Sequence, residues 1–141
     1  MIAHVKDAGL QFHPHAGTVL MCDFRGMIVP EITKKRPVMV ITPRLAHRDK
    51  SAMIVPFSTT PPHYPQPFHV RLSRNYHPDE PDDLPVWAKC DLVCSVSFER
   101  LDRFALKNRQ FIAPRAIAAD LALVRNGILS ALGFVNLTER A

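Results

Sequence analysis

The apolar positions of this chain fall into short, irregularly spaced runs, followed by one longer run of a different period. Thr18-Val19-Leu20-Met21-Cys22-Asp23-Phe24 follows Gly17 and predicts a first strand. Pro37-Val38-Met39-Val40-Ile41-Thr42 is apolar on both faces, the pattern of a central strand that begins at a proline. Ala52-Met53-Ile54-Val55-Pro56-Phe57 predicts another buried strand, in which Pro56 marks an edge position or a bulge. Phe68-His69-Val70-Arg71-Leu72 alternates as a half-exposed strand. Val86, Ala88, Cys90, Leu92, Cys94 and Val96 then share one face of the longest period-2 stretch in the chain. Between Pro114 and Gly133 the period changes. Ile117, Leu121, Val124, Ile128 and Leu132 line one helical face there, with a proline where helices begin and a glycine where they end.

Strands and helices never alternate, which argues against a parallel α/β fold. The expected class is mostly β with α (α+β): a small curved antiparallel barrel or sheet with a C-terminal helix over residues 114–133. Residues 1–15 are polar and turn-like and are expected to form an N-terminal arm. The whole chain, 1–141, is expected to be one domain.

Composition narrows the function classes. The chain holds 13 prolines against five glycines, yet 47% of it is hydrophobic. That excludes a disordered linker, a collagen-like chain and a coiled coil. The net charge of +5 favours a polyanionic or acidic partner. Three cysteines without a C-x-x-C spacing predict small buried thiols in a reducing compartment. The first residues lack the apolar stretch of a signal peptide. Ser51 to Val70 carries no charged Asp, Glu, Lys or Arg, but its prolines forbid a spanning helix. A cytoplasmic protein without a membrane partner is expected.

No glycine lies between Gly26 and Gly127, which excludes phosphate-binding glycine loops of the P-loop and dinucleotide types. His13-Pro14-His15 lacks further ligands, so neither a metal nor a cofactor is expected. The informative pattern is a basic run, Lys34-Lys35-Arg36-Pro37, entering one strand while Phe57-Ser58-Thr59-Thr60 ends the next. If the two strands are antiparallel neighbours, the arginine end of one lies beside the hydroxyl end of the other. A guanidinium fork and a hydroxyl are the minimum needed to hold a phosphodiester.

Three stretches in order around that pattern resemble the PemK/MazF toxins of bacterial type II toxin–antitoxin pairs. They are Gly17-Thr18-Val19 through Asp23-Phe24 with Glu31 and Arg36-Pro37, then Ile54 to Thr59, then Asp91 to Leu101. The resemblance spans about residues 17–132. It implies an SH3-like, partly open barrel that is usually a homodimer. It also implies metal-independent cleavage of single-stranded RNA, often mRNA, and an acidic-tailed antitoxin that covers the RNA groove. By position, the family's catalytic arginine falls on Arg36 and its catalytic threonine on Ser58, with Thr59 adjacent. Glu31 takes the acidic loop position. Leu92 and Cys94 stand where the family often has Gln and Arg.

The expected function is therefore an endoribonuclease in which a ribose 2′-OH attacks its own 3′-phosphate. Arg36 would stabilise the developing charge, and Ser58 or Thr59 would hold the phosphate or assist proton transfer. Lys34, Lys35, Arg44, His47, Arg48 and Lys50 would attract the backbone. Trp87, Tyr64 or Phe68 would stack unpaired bases. The alternative is a non-catalytic barrel that grips nucleic acid or a protein such as a topoisomerase. Eight of the 13 prolines lie between Pro56 and Pro85, which predicts a stiff loop bordering the groove.

Overall fold

The computed structural model describes residues 9–134. Its strands are β1 (Val19–Asp23), β2 (Lys35–Val40), β3 (Ser51–Ser58), β4 (His69–Arg71), β5 (Trp87–Lys89), β6 (Cys94–Ser97), β7 (Leu101–Asp102), β8 (Phe104–Ala105) and β9 (Phe111–Ile112). One helix, α1, covers Ala118–Ala131. The main sheet runs β4-β5-β3-β2-β1-β7, with β6 also paired to β3. Strands β8 and β9 form a separate hairpin. All pairings are antiparallel and the sheet is curved but open, the mostly-β class that the pattern predicts.

Strands β1 to β3 are covered on both faces, which is why their sequences carry apolar residues at successive positions. Val19, Met39 and Val55 pack toward α1 with Phe57, Val86 and Val124. Leu20, Val38 and Ile54 pack on the other side with Leu10, Val96 and Phe98. Leu10 belongs to the segment expected to be an arm. Its N–H donates to the Phe98 carbonyl at 3.0 Å, so Gly9–His15 is tied to the body. A Cβ at Gly9, where φ is +75°, would lie 2.2 Å from that same carbonyl oxygen. Residues 1–8 of the expected arm lie outside the described residues.

Three expectations are corrected. The long period-2 stretch is two strands, because a 3-10 turn at Cys90–Leu92 separates β5 from β6. Both strands pair with β3: Ser51–Ile54 with β6, then Phe57 and Ser58 with β5. Pro56 therefore lies in a central strand rather than at an edge, and its missing N–H falls at the seam where the neighbour changes. The helix starts at Ala118 rather than Pro114. The Pro114 carbonyl instead accepts the Val19 N–H at 2.8 Å, and Ala116 N–H donates to the Gly17 carbonyl at 2.8 Å. Residues 114–116 thus extend the sheet before the helix turns away.

The helical face is also rotated from the apolar one. Val124 and Ile128 are buried, but their buried companions are Asp120 and Gly127, while Ile117 and Leu132 are exposed. At Gly127 a Cβ would stand 2.7 Å from Cys90 Sγ and from Val70 Cγ2, so α1 approaches β4 and the 3-10 turn closely at that residue. The C-terminus is closed as expected at Gly133. Its φ is +93°, its N–H donates to Ser130 O, and Phe134 N–H donates to Leu129 O, a Schellman motif.

Candidate active site

The β2–β3 ladder stops before either strand does. Its pairs are Val40 with Ile54, Met39 with Val55 and Val38 with Pro56. Two steps further the same register sets Arg36 opposite Ser58, past the point where Pro37, which has no N–H to donate, ends the ladder. Beyond Val38, β2 remains in register with β1, with Arg36 opposite Cys22 and Lys35 opposite Asp23. Ser58 is held by β5, opposite Trp87. Two cavities, which together form a gap at this end of the pair, share Arg36, Phe57 and Ser58.

One cavity, about 200 Å³, is bordered by the 31–34 loop and Lys89. The other, about 230 Å³, adds Lys35, Thr59, Asn75, His77 and Glu80. Arg36 and Thr59 are exposed and Ser58 is half-buried. Ser58 Oγ accepts the Thr60 N–H at 3.1 Å, which leaves the hydroxyl proton available to an incoming oxygen. Glu31 Oε1 accepts the Ile28 N–H at 2.7 Å while Glu31 N–H donates to the Ile28 carbonyl at 2.8 Å. The acidic loop residue thus closes its own turn at the rim. Arg100 fixes the start of that loop by donating to the carbonyls of Asp23 and Arg25.

The wall opposite Arg36 comes from the loop between β4 and β5, whose Asn75 and Glu80 the sequence pattern did not single out. Asn75 is buried and fully engaged. Its Nδ2 donates to Glu80 Oε1 at 2.9 Å and to the Pro81 carbonyl at 3.3 Å, and its Oδ1 accepts the His77 N–H at 3.1 Å. His77 Nδ1 accepts the Asp79 N–H at 3.1 Å, which assigns the ring proton to Nε2 in the neutral form. The loop is anchored to α1 by Asp120, a buried carboxylate that accepts Ser73 Oγ–H at 2.8 Å and Tyr76 O–H at 2.7 Å. Tyr76 Oη also accepts the Ile117 N–H at 3.1 Å and so caps a helix whose own cap residue, Ile117, has no side-chain acceptor.

A second feature continues from Ser58 across the sheet. Register places Ser58, Trp87 and Arg71 in one cross-strand row on one face. The Arg71 guanidinium lies 5.8 Å from the Trp87 ring centroid. Lys89 stands one pleat along on the same strand, opposite His69. Arg36 and this row make a basic stripe with an aromatic ring in it.

Other expected binding residues do not converge here. Arg44, His47, Arg48 and Lys50 occupy the β2–β3 hairpin loop, at the opposite end of both strands. Eight residues of extended chain separate Arg36 from Arg44, about 26 Å. The loop is a tight turn in which Leu45 and Arg48 bridge, with His47 at φ 62°. Lys34 and Lys35 do border the gap. Trp87 is half-buried beside Ser58, whereas Tyr64 is exposed and outside both cavities. The stiff stretch expected over Pro56–Pro85 borders the gap through its later part, from Asn75 on, while residues 61–67 line neither cavity.

The thiols are not nucleophile candidates. Burial pushes Cys22 and Cys90 up to about 12, and it raises Cys94 as well. Among the described residues no group of three or more His, Cys, Asp or Glu side chains is placed to hold a metal ion. Nor is any described helix long and apolar enough to cross a membrane.

Residues 15–121 match the family described as PemK-like, MazF-like toxin of type II toxin–antitoxin system. The Escherichia coli (strain K12) protein YifN, itself uncharacterized, is 28% identical over 150 residues, covering 90% of this chain and 99% of YifN. Crystalline MazF from Deinococcus radiodurans superposes with a TM-score of 0.64 at 22% identity, over 88% of this chain and 100% of that one. An endoribonuclease from a mycobacterial species, solved in complex with its cognate antitoxin, gives a TM-score of 0.59 at 16% identity. That match covers 87% of this chain and 98% of the mycobacterial one. At these identities both structures establish likeness of fold.

Proposed function

Because the chain belongs to the PemK-like, MazF-like toxin family of type II toxin–antitoxin systems, we propose that it is an endoribonuclease cleaving single-stranded RNA at the Arg36–Ser58 gap. The observation that carries this reading is that the β2–β3 register sets the Arg36 guanidinium opposite the Ser58 hydroxyl, both lining the same two cavities and the hydroxyl proton unspent.

In this reading the ribose 2′-OH attacks its own 3′-phosphate, giving a 2′,3′-cyclic phosphate and a 5′-OH without a metal. Arg36 holds two phosphate oxygens and stabilises the charge that grows on them. The Ser58 hydroxyl, or that of Thr59, donates to a third. Lys34, Lys35 and Lys89 draw the backbone into the cleft. The row from Ser58 to Arg71 gives the strand a track, on which Trp87 offers a stacking surface to an unpaired base. The basic cleft also suits an acidic antitoxin segment, and solved relatives include a MazE–MazF pair from Deinococcus radiodurans. A homodimer acting in the cytoplasm completes the proposal.

Incubation of the protein with long single-stranded RNA in EDTA, followed by end-group analysis, tests the reading. Discrete cuts bearing cyclic phosphate are expected, and a 2′-deoxy nucleotide at a mapped cut abolishes it. RNA that stays intact across many sequences, with wild type and Arg36→Ala alike, leaves only a non-catalytic binding barrel.

A further inference from the structure

The reaction proposed above needs a group to take the 2′-OH proton, and the two residues at its centre are unsuited to that. Arginine stays protonated below about pH 12, and serine and threonine hydroxyls are neutral donors. Resting on that ribonuclease reading, we infer that Glu80 is the general base and that Asn75 is its positioning residue.

Three observations support this assignment. Glu80 is the one carboxylate, among the described residues, that lines the cavity of about 230 Å³ together with Arg36, Ser58 and Thr59. Glu31, in the adjacent cavity, is engaged in closing its own loop. Second, Glu80 is oriented rather than adrift. Oε1 accepts Asn75 Nδ2–H at 2.9 Å, and Asn75 is itself pinned by Pro81 O, by the His77 N–H and by its own N–H to Asp82 O. A base held by a second, immobile group is the arrangement that proton abstraction requires. Third, the loop carrying Glu80 is clamped to α1 through Ser73, Tyr76 and Asp120, so the carboxylate sits on a rigid wall. Among the described residues no cation lies within 4 Å of Glu80, so its charge is not spent on an ion pair.

The step balances without a further reagent. The 2′-O–H bond breaks and its proton passes to the Glu80 carboxylate as the 2′-O–P bond forms. The P–O5′ bond then breaks, and the departing 5′ oxygen takes a proton from water. Glu80 returns its proton to solvent.

The test compares wild type with Glu80→Gln, whose amide oxygen still accepts from Asn75. Single-turnover cleavage is measured on an oligonucleotide containing a mapped cut. Affinity is measured on the same oligonucleotide with a 2′-deoxy nucleotide at that position. The expected result is cleavage slower by about 10²-fold or more, with affinity and thermal midpoint unchanged. Cleavage within threefold of wild type, or a loss confined to affinity, overturns the assignment while leaving the ribonuclease reading intact. Should Glu80→Gln disturb folding, Glu80→Ala decides instead: added formate restores cleavage if a base was removed, and a lack of rescue overturns the proposal. A wild-type protein that cuts no RNA overturns both readings at once.

Discussion

At one end of the β2–β3 pair, Lys34, Lys35 and Arg36 stand before a gap bounded by Ser58, Lys89 and a hydrogen-bonded loop. At the other end, Arg44, His47, Arg48 and Lys50 crowd a short exposed hairpin. Positive charge is comparable at the two ends, and in the sequence both look like sites for a polyanion. They differ in how the backbone arranges them. In the hairpin the chain simply reverses, and Arg44 and Lys50 border a separate cavity of about 690 Å³ whose wall also carries the carboxylates Asp49 and Glu99. At the gap, β2 is flanked by β1 and β3 by β5, and Arg36 and Ser58 line two shared cavities walled by the β4–β5 loop and Lys89. Charge attracts a phosphate at either end, but at the gap the register sets a guanidinium opposite a hydroxyl, whereas the hairpin cations share their cavity with two carboxylates.

Arg36→Ala tests that contrast hardest. It is expected to lower kcat for RNA cleavage by about 10²–10³-fold, the usual effect of removing a donor to a charged transition state. Measured beside it, the triple substitution Arg44→Ala, Arg48→Ala, Lys50→Ala should leave kcat within about threefold. Its effect belongs in the salt dependence of affinity, whose slope should shrink by roughly 0.7 for each phosphate that is no longer neutralised. Equal kcat losses in the two variants would erase the distinction between the two ends.

Asp120→Ala examines what supports the concave end. It leaves the Tyr76 hydroxyl unpaired in a buried site and releases Ser73 to solvent, and a urea titration should read a destabilisation of about 1–3 kcal/mol. Tyr76→Phe keeps the ring and removes only the hydroxyl, so about 1–2 kcal/mol is expected. Cleavage should weaken in the folded fraction of both variants, because the wall with Asn75 and Glu80 loosens. The hairpin end supplies the control: substitutions there should leave stability unchanged.

Ser58→Ala and Thr59→Ala separate the two hydroxyls. Ser58 lines both cavities and its proton is free, so its loss is expected to cost about tenfold in kcat, against little change for Thr59→Ala. The reverse order, read from the same single-turnover assay, would assign the hydroxyl role to Thr59.

The smallest effect concerns Asp23, beside Lys35 on the rim. Hydrogen bonds from the Arg25 side chain and N–H lower its carboxyl to about 2. A depressed carboxyl stabilises the fold at pH above about 4 and loses that contribution as the pH falls toward 2. The pair is exposed, so thermal midpoints of wild type and Asp23→Asn should differ only slightly at pH 6, and less in high salt. By pH 2 they should converge.

The strands β1 to β4 and the presence of α1 were legible because each buries enough apolar side chain to impose its own period. Arg36 and Ser58 were legible as a pair once their strands were taken as antiparallel neighbours. The break inside Val86–Val96 was not, since a 3-10 turn at Cys90–Leu92 keeps its apolar residues useful on either side. The hairpin β8–β9 is two residues per strand, too short to carry a period. The face of α1 was misread because its burial is decided by a close approach at Gly127 and by a carboxylate, Asp120, that is buried for its hydrogen bonds. Neither a glycine nor an aspartate signals an interior position by itself.

Local sequence carries the inventory of this protein: a mostly antiparallel β chain closed by one helix, a basic strand entry, and a hydroxyl at the end of the next strand. Those follow from propensity and period, which act over a few residues. Which polar groups share a cavity is settled at the level of the assembled fold. Asn75, His77 and Glu80 come from a segment without periodicity, and Lys89 from the polar face of a period-2 strand. They reach Arg36 because β3 exchanges one neighbour for another and because Tyr76 and Asp120 pin a loop to a helix 44 residues away. Such contacts depend on register and anchoring between distant segments, and nothing in a local stretch of sequence encodes them.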